Sequence, residues 1–558
     1  MKKKLKSRNP KIIVLSVLSG ILMALAFPPI DMSMLYFPGV AVLIFVIFKS
    51  ENYKQLFVRS YTAFLVFELI AGSWIALSGI KEDADKFLIL AGILVMIIQP
   101  LFFLVPVFVF YFFRKNVFKN KFDILKLFAF PFIWTACEFI FSFGDLSFPW
   151  YHAGNAFSHQ LYKIQFIEIT GIYGLSLWVM LICTLLFIFY LSFTEQNRKK
   201  SAVSGIVLIV LYILPGIYTH LSEKTRFSEY YGFEKINIGV IQPNIDPWLK
   251  WGGIKDTLIN DYVKDIIKIH HADPKPDLVV FPETAVPFYL LFSYNEKDFN
   301  TFRNISDSLN LPIFMGVPDY EIFTDSTKAP PDAKNVQNSK VKYSTYNSAI
   351  LIDSNVSQNN IQKYHKIKLV TGSEKAPFQE YFSFFGEIIK WGVGISSYQS
   401  GKDLTVFKLP VKNNPYDTVR FSAGICYESV YPGFFSGFFS KGAEFGIVIT
   451  NDGWWGKKFG TYQHNRYAVF RAIENRRWIV RCANTGISSV IDPFGNMLYE
   501  TEINQKAVFT REIGRIKEKT FHMKNPDLFP KIFTVITALI FLSGFFSLLY
   551  TRFVQKKN

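Results

Sequence analysis

The sequence predicts two structures in one chain: a multi-span α-helical membrane domain of about eight helices, and an extracytoplasmic α/β domain. Three observations carry that prediction. Half of the 558 residues are hydrophobic, 59 are Phe and only 19% are charged, more apolar surface than a soluble protein keeps in solution. Long apolar runs fill the first 221 residues and return at 532–550. Between them, residues 222–528 switch to short β-rich runs alternating with helical patterns, the mark of a water-soluble α/β domain.

Taken in order, the chain opens with Lys2, Lys3, Lys4, Lys6, Arg8 and Lys11, followed by an apolar run over 12–27 that stops at Pro28-Pro29. A basic start and an apolar core also describe a secretory signal peptide, but no small-residue cleavage pattern follows and a second apolar run begins at once. The reading is an uncleaved first span. Further spans are expected at 34–48, 57–80, 87–113, 124–143, 166–194 and 203–221, with the last at 532–550. The domain boundaries expected are therefore 1–221 for seven spans, 222–528 for the soluble domain, and 529–558 for the last helix and a tail.

The net charge of +17 suits a nucleic-acid binder, but its placement argues for membrane topology instead. The loops expected inside hold Lys49 and Lys54, then Arg114, Lys115, Lys119 and Lys121, then Arg198, Lys199 and Lys200; the tail adds Arg552, Lys556 and Lys557. The loops expected outside are poor in base: 29–33 has none, 81–86 is net acidic and 144–165 has only Lys163. Seven crossings place 222–528 outside the cytoplasm; a buried hairpin at the second run would invert it, against the charge pattern.

In the soluble region, strands are expected at 235–241, 277–281, 311–315, 349–352, 445–449 and 487–491, with helices at 255–270 and 461–475. Residues 324–342, rich in Asp, Lys, Pro, Ser and Asn, read as a surface loop. There is no Gly-rich phosphate loop, internal repeat or nucleic-acid motif, and the four cysteines (Cys137, Cys183, Cys426, Cys482) show no metal or disulfide spacing.

Three places carry candidate chemistry. In Gly424-Ile425-Cys426-Tyr427-Glu428 an extended segment ends at a small residue and a cysteine follows where a helix can begin, which exposes a nucleophile to backbone N–H groups. In Val280-Phe281-Pro282-Glu283-Thr284 a carboxylate follows an apolar strand, and Tyr364-His365-Lys366 places an ammonium in a polar strand. Singly, each has an ordinary structural explanation: a packed thiol, a solvated turn, an edge-strand base. Together they form a unit. Glu283 takes the thiol proton and returns it to the leaving group, while Lys366 favours the thiolate and, with the N–H after Cys426, stabilises an oxyanion.

Glu, Lys and Cys in this order and these contexts resemble the nitrilase (carbon–nitrogen hydrolase) superfamily. With seven spans before and one after, the chain resembles its apolipoprotein N-acyltransferase family. Ala24-Leu-Ala-Phe-Pro-Pro29, Phe148-Pro-Trp150, Gln242-Pro-Asn-Ile245 with Lys250-Trp251, Tyr398-Gln-Ser-Gly401, Thr450-Asn-Asp-Gly-Trp-Trp-Gly456 with Gln463-His464, and Arg471-Ala472 extend the likeness over nearly the whole chain. Two departures stand out. The family runs from its Lys segment into Leu-Val-Pro-Phe-Gly-Glu, whereas here Leu369-Val370 is followed by what reads as an insertion, 371–376, before Pro377-Phe378-Gln379-Glu380; and Lys524-Asn-Pro-Asp527 stands where a Gly-Asp is expected.

The resemblance implies an αββα sandwich for the soluble domain and a Glu283–Lys366–Cys426 triad, with no cofactor and no metal. It also implies a two-step transfer. Cys426 takes an acyl chain from a membrane phospholipid as a thioester, and the N-terminal amine of an S-diacylglyceryl-cysteine apolipoprotein then accepts it, the last step of bacterial lipoprotein maturation. Supporting roles implied are Trp251 as a cover over the site, Glu380 as an orienter of Lys366, and Tyr427 and Glu428 beside the nucleophile. The setting implied is the bacterial inner membrane with the catalytic domain on the periplasmic side, and a monomer suffices. A membrane-anchored amidase that passes the acyl group to water shares the triad. A transporter or scaffold is a third class, against which stands the lack of intramembrane charge pairs around Glu68 and Glu138. Two apolar stretches, 287–293 and the Phe434, Phe435, Phe438 and Phe439 stripe, are candidates for lipid access, against ordinary core packing.

Overall fold

A computed structural model describes residues 10–80, 87–117, 124–231, 234–247, 249–250, 252, 255–331, 333–337, 339–354, 356–375, 378, 398–411 and 414–557. The chain divides into two compact units, one of Met1–Leu77, Ile89–Lys224 and Asn525–Asn558, the other of Ser78–Leu88 and Thr225–Lys524.

The first unit is helical because its sequence is apolar on every face, so backbone groups must be satisfied within each segment. Among the described residues, five helices are long and apolar enough to cross a membrane: Tyr53–Ile80, Ile89–Val117, Ile167–Thr194, Arg198–Ser222 and Leu528–Val554. The other predicted spans hold shorter apolar helices, Pro10–Ala24, Ser33–Phe48 and Ala129–Ile140. At 1.5 Å per residue, a 15-residue helix such as Pro10–Ala24 reaches about 22 Å, short of a hydrocarbon core of about 30 Å. Pro10–Ala24 and Tyr53–Ala71 approach closely where Gly20 faces Ala63; a Cβ on Gly20 would lie 2.3 Å from the Ala63 carbonyl oxygen. Both motif segments of this unit are buried aromatic anchors. Phe27 packs edge-on against Phe67 and Tyr151, and Trp150 lies against Trp74 and Phe148. Glu138 accepts hydrogen bonds from Trp134 Nε1 (2.9 Å) and the Ala153 N–H (2.7 Å), so this carboxyl braces the bundle.

The second unit is built from two sheets. Its strands are β1 (Lys235–Gln242), β2 (Leu278–Val280), β3 (Ile313–Phe323), β4 (Lys334–Asn335), β5 (Lys342–Ile352), β6 (Gln362–His365), β7 (Phe407–Val411), β8 (Asn414–Ile425), β9 (Phe445–Thr450), β10 (Ile479–Ala483), β11 (Ser489–Ile491), β12 (Met497–Glu500) and β13 (Ala507–Gly514). One sheet runs β13-β1-β2-β3-β5-β4, with β6 on β5; the other runs β12-β11-β10-β9-β8-β7. Each has three parallel strands at its centre, β1-β2-β3 and β8-β9-β10, with antiparallel strands outside.

The central strands are buried on both faces, which explains their unbroken apolar runs. Helices Lys255–His270 and Glu296–Leu309 cover one sheet through Tyr262, Ile266, Phe299 and Phe302. Helices Pro432–Ser440 and Phe459–Asn475 belong to the other half. The sheets meet where Phe314 of β3 packs edge-on against Phe407 of β7 and Phe421 of β8, with ring centroids 5.0 and 5.3 Å apart. The unit is thus the αββα sandwich expected. All six predicted strand positions carry strand, and both predicted helices form. Among the described residues of the expected 324–342 loop, regular structure is confined to the two-residue β4 and to Lys342, where β5 begins.

Candidate active site

Cys426 stands where β8 ends and a short 3₁₀ turn, Cys426–Val430, begins. Its φ is +53°, a left-handed conformation that a side chain with a Cβ rarely adopts, so the surrounding structure must hold the turn in place. Two devices do so. Gly424 leaves room for the Phe435 ring, which a Cβ there would meet at 2.6 Å. Glu428 folds back so that its Oε2 accepts the Ile425 N–H at 2.8 Å.

The other oxygen of Glu428 reaches a different chain segment. It accepts from Tyr364 Oη (2.7 Å), the Ile367 N–H (2.7 Å) and the Lys368 N–H (3.0 Å). One fully buried carboxylate therefore ties the cysteine turn to the segment that carries Lys366. Burial pushes Glu428 up to about 6, and those same hydrogen bonds restrain the rise. Tyr427 beside it is buried and packs edge-on against Tyr431.

Lys366 follows β6, whose alternation turns Tyr364 inward and leaves His365 half-buried, stacked on Tyr346 and bonded to Asp319. The Lys366 backbone is clamped from both sides: its N–H donates to the Asn347 carbonyl and its carbonyl accepts the Gly401 N–H, each at 2.8 Å. Gly401 is required there, since a Cβ would lie 2.2 Å from the His365 carbonyl oxygen. This contact accounts for the Tyr398–Gly401 motif.

Nζ of Lys366, on a side chain 1% exposed, lies 3.1 Å from Glu283 Oε1 and 2.9 Å from Glu374. Asn347 Nδ2 donates to both carboxylates, at 2.7 and 2.8 Å. Burial alone would lower the Lys366 ammonium, but the charges of Glu283 and Glu374 outweigh it and hold the group well above its ordinary value.

Glu283 sits just beyond the C-terminal end of β2, the end of a parallel strand where side chains meet ligands. Gly316 on β3 lets this loop approach: a Cβ there would meet the Thr284 nitrogen at 2.6 Å. Oε2 of Glu283 accepts the Asn451 N–H at 3.0 Å, so the carboxylate is fixed by both halves of the sandwich. Glu283 and Lys366 both act electrostatically on the Cys426 thiol, which brings the three predicted residues into one buried cluster. Burial pushes that thiol well up, Glu283 adds to the rise, and Lys366 opposes it. The resting group is a thiol that needs a base.

A second network holds the turn from below. His464 Nδ1 pairs with Asp452 (2.8 Å), Asp452 pairs with Arg481 (2.9 Å), and His464 Nε2 faces Ser429 Oγ (3.0 Å) and the Cys426 carbonyl (3.1 Å). Ligand atoms of Cys426, Asp452 and His464 lie within 4.8 Å of one another. They do not fit a resident cation, because the Asp452 and His464 atoms are already committed to hydrogen bonds.

Several sequence expectations need revision. Glu374, absent from the sequence expectations, is a second carboxylate on Lys366 beside Glu283; its Oε2 also accepts the Val370 N–H at 2.8 Å. Leu369-Val370-Thr371-Gly372-Ser373-Glu374 keeps Leu, Val and Glu at the first, second and sixth positions of the expected motif, so no insertion is required. That spacing was the missed signal. Glu380 and Trp251 lie outside the described residues. In the aromatic stripe, Phe435, Phe438 and Phe439 are buried and only Phe434 is partly exposed, so it is core; in 287–293, Tyr289 and Phe292 remain exposed. Cys482 is buried, its Sγ 3.4 Å from the Ile241 and Val280 carbonyls.

Comparison with known proteins shows the family. Residues 19–185 match the apolipoprotein N-acyltransferase N-terminal domain and residues 237–517, half of the chain, match the carbon-nitrogen hydrolase family. An apolipoprotein N-acyltransferase of Chlorobaculum tepidum is 30% identical over 95% of this chain and 95% of its own length. The chain belongs to the apolipoprotein N-acyltransferase family. Another apolipoprotein N-acyltransferase, from Geobacter metallireducens, is 28% identical over 92% of each chain. Among solved structures, Saccharomyces cerevisiae Nit3, a member of branch 10 of the nitrilase superfamily, covers 53% of this chain and 94% of its own at 17% identity and a TM-score of 0.35. The chain is thus an acyltransferase of the carbon-nitrogen hydrolase superfamily with apolar helices suited to a membrane.

Proposed function

We propose that this chain moves a fatty acyl group from a membrane phospholipid, through a thioester on Cys426, to the N-terminal amine of an S-diacylglyceryl-cysteine apolipoprotein. The observation that carries the reading is the meeting of Glu283 and Lys366 at 3.1 Å, both coupled to a thiol on a strained turn. Glu283 takes the S–H proton as sulfur attacks the ester carbonyl. The Lys366 ammonium and the N–H after Cys426 stabilise the oxyanion. Collapse breaks the ester C–O bond, and Glu283 returns its proton to the departing lysophospholipid oxygen. In the second half, the acceptor amine attacks the thioester, Glu283 takes a proton from nitrogen, and sulfur leaves and is reprotonated.

Both substrates are lipid-anchored, which accounts for an apolar helical unit in the same chain; a water-soluble amide would not need it. The exposed Tyr289 and Phe292, directly after the Glu283 loop, are the better candidates for lipid access. Base-rich inner loops support an inner-membrane setting with residues 222–528 on the periplasmic side, between membrane segments 1–221 and 529–558. The test is to load purified protein with acyl-labelled phospholipid, then add a diacylated lipopeptide. Label passing to the peptide supports the proposal; discharge to free fatty acid at the same rate with and without peptide would make the chain a hydrolase.

A further inference from the structure

His464 lies on the helix Phe459–Asn475, its side chain is fully buried, and both ring nitrogens are engaged. Nδ1 stands 2.8 Å from Asp452 Oδ1, while Nε2 stands 3.0 Å from Ser429 Oγ and 3.1 Å from the Cys426 carbonyl oxygen. The ring is held from behind. Asp452 Oδ1 also accepts from Thr450 Oγ1 (2.7 Å), its Oδ2 accepts from Arg481 (2.9 Å), and Trp455 packs edge-on against the imidazole with centroids 5.7 Å apart. Asp452 follows β9 and Arg481 sits on β10, so two strands and a helix together aim one nitrogen at the cysteine turn.

The direction of these hydrogen bonds follows from what each atom can do. The Cys426 carbonyl only accepts, and Ser429 Oγ gives it its single hydrogen at 2.9 Å. Nε2 then faces two oxygens that both accept, and the arrangement is satisfied with a proton on Nε2. With both nitrogens so engaged, His464 is not placed to take the thiol proton, although the Cys426 sulfur lies within 4.8 Å of one of them.

Peptide geometry says what a pinned carbonyl does for the reaction. The Cys426 C=O and the N–H that follows Cys426 belong to one planar trans peptide and point in opposite directions. Fixing the oxygen fixes the hydrogen, and that N–H is one of the two donors read above as stabilising the oxyanion. The backbone needs such a clamp, because φ at Cys426 is +53°, a conformation that a residue with a Cβ does not hold by its own preference. We propose that His464 is a further positioning residue of this active site, whose Nε2, with Ser429, aims the N–H after Cys426 at the oxyanion by holding the Cys426 carbonyl. The proposal rests on the reading of Cys426 as the acylated nucleophile. A brace that only kept the turn folded would support every reaction of the thiol, whereas this role touches only reactions that pass through an oxyanion.

The test sets two reactions of the same sulfur side by side, in full-length protein in detergent micelles. Acylation by labelled phospholipid passes through a tetrahedral oxyanion; alkylation by iodoacetamide displaces iodide at a saturated carbon and forms none. Alkylation is read by mass spectrometry on the peptide that carries Cys426. His464→Asn keeps a polar group at the Nδ1 position for Asp452 but does not reach the Cys426 carbonyl. The expected result is acylation about 100-fold slower than wild type with alkylation within about twofold. An acylation loss that exceeds the alkylation loss by less than about tenfold overturns the proposal, as does no loss at all. Where His464→Asn does not fold, Ser429→Ala decides, because it removes the other donor to the same carbonyl. A selective acylation loss of about tenfold or more in that variant supports the proposal, and its absence overturns it. A wild type that forms no thioester would bring down the reading of Cys426 itself, a result distinct from equal losses of both reactions in His464→Asn.

Discussion

Replacing Glu428 with Gln removes a charge and one acceptor while keeping the side-chain volume. Wild-type Glu428 satisfies four buried donors: Ile425 N–H at one oxygen, and Tyr364 Oη, Ile367 N–H and Lys368 N–H at the other. A Gln amide that keeps its oxygen on the three donors must turn its NH₂ toward the Ile425 N–H, leaving that donor unpaired beside Cys426. The cost of an unpaired buried donor is about 2 kcal/mol, and the three surviving bonds lose their charge assistance. Spent on the geometry of the reacting turn, about 2 kcal/mol is a rate loss of about 30-fold. The assay is the single-turnover rate of Cys426 acylation by labelled phospholipid, with the melting curve recorded alongside. Glu428→Gln acylating within twofold of wild type would refute the claim that this carboxylate couples the two segments.

Two other variants probe the supports from different sides. Gly401→Ala places a Cβ 2.2 Å from the His365 carbonyl oxygen and displaces the N–H that holds Lys366, so acylation should fall at least about tenfold; an unaffected rate would show that the clamp is not needed. Asp452→Asn breaks the buried pairs with His464 and Arg481, a loss of about 3 kcal/mol near pH 7, read as a lower denaturation midpoint. Burial would raise the Asp452 carboxyl, but His464 and Arg481 hold it below the ordinary 3.8. The pair's stabilisation is therefore complete above 3.8 and fades as pH falls through the lower folded value, so wild-type and variant midpoints should converge in strong acid. A gap that is constant with pH would contradict that assignment.

Glu283, Lys366 and Cys426 could be picked out as candidates because each sits at a place that sequence reveals: after an apolar strand, at the end of a polar strand of alternating burial, or on a strand-to-helix turn. What surrounds the trio was not legible. Asn347, Asn451 and Gly401 act through backbone register and close approach, which depend on which strands become neighbours. Glu374 hid in a polar turn that resembled an insertion, although its position relative to Leu369-Val370 was in plain view. The Phe434–Phe439 stripe shows the limit of periodicity. Helical spacing puts these rings on one face but does not say what that face meets, and Phe435 proves to fill the space left by Gly424. In the helical unit each expected segment holds a helix, but among the described residues only five are long and apolar enough to cross a membrane, and the expected 124–143 span is α-helical only as Ala129–Ile140. Local 3₁₀ turns share the composition of the helices they extend.

The central claim, that Cys426 carries the acyl group, is tested most directly by incubating full-length protein with acyl-labelled phospholipid and running a non-reducing gel. The account predicts a labelled band that hydroxylamine removes, that Cys426→Ser lacks, and that a diacylated lipopeptide discharges with label passing to the peptide. A wild-type band that persists in Cys426→Ser, or label reaching the peptide without that cysteine, would contradict it.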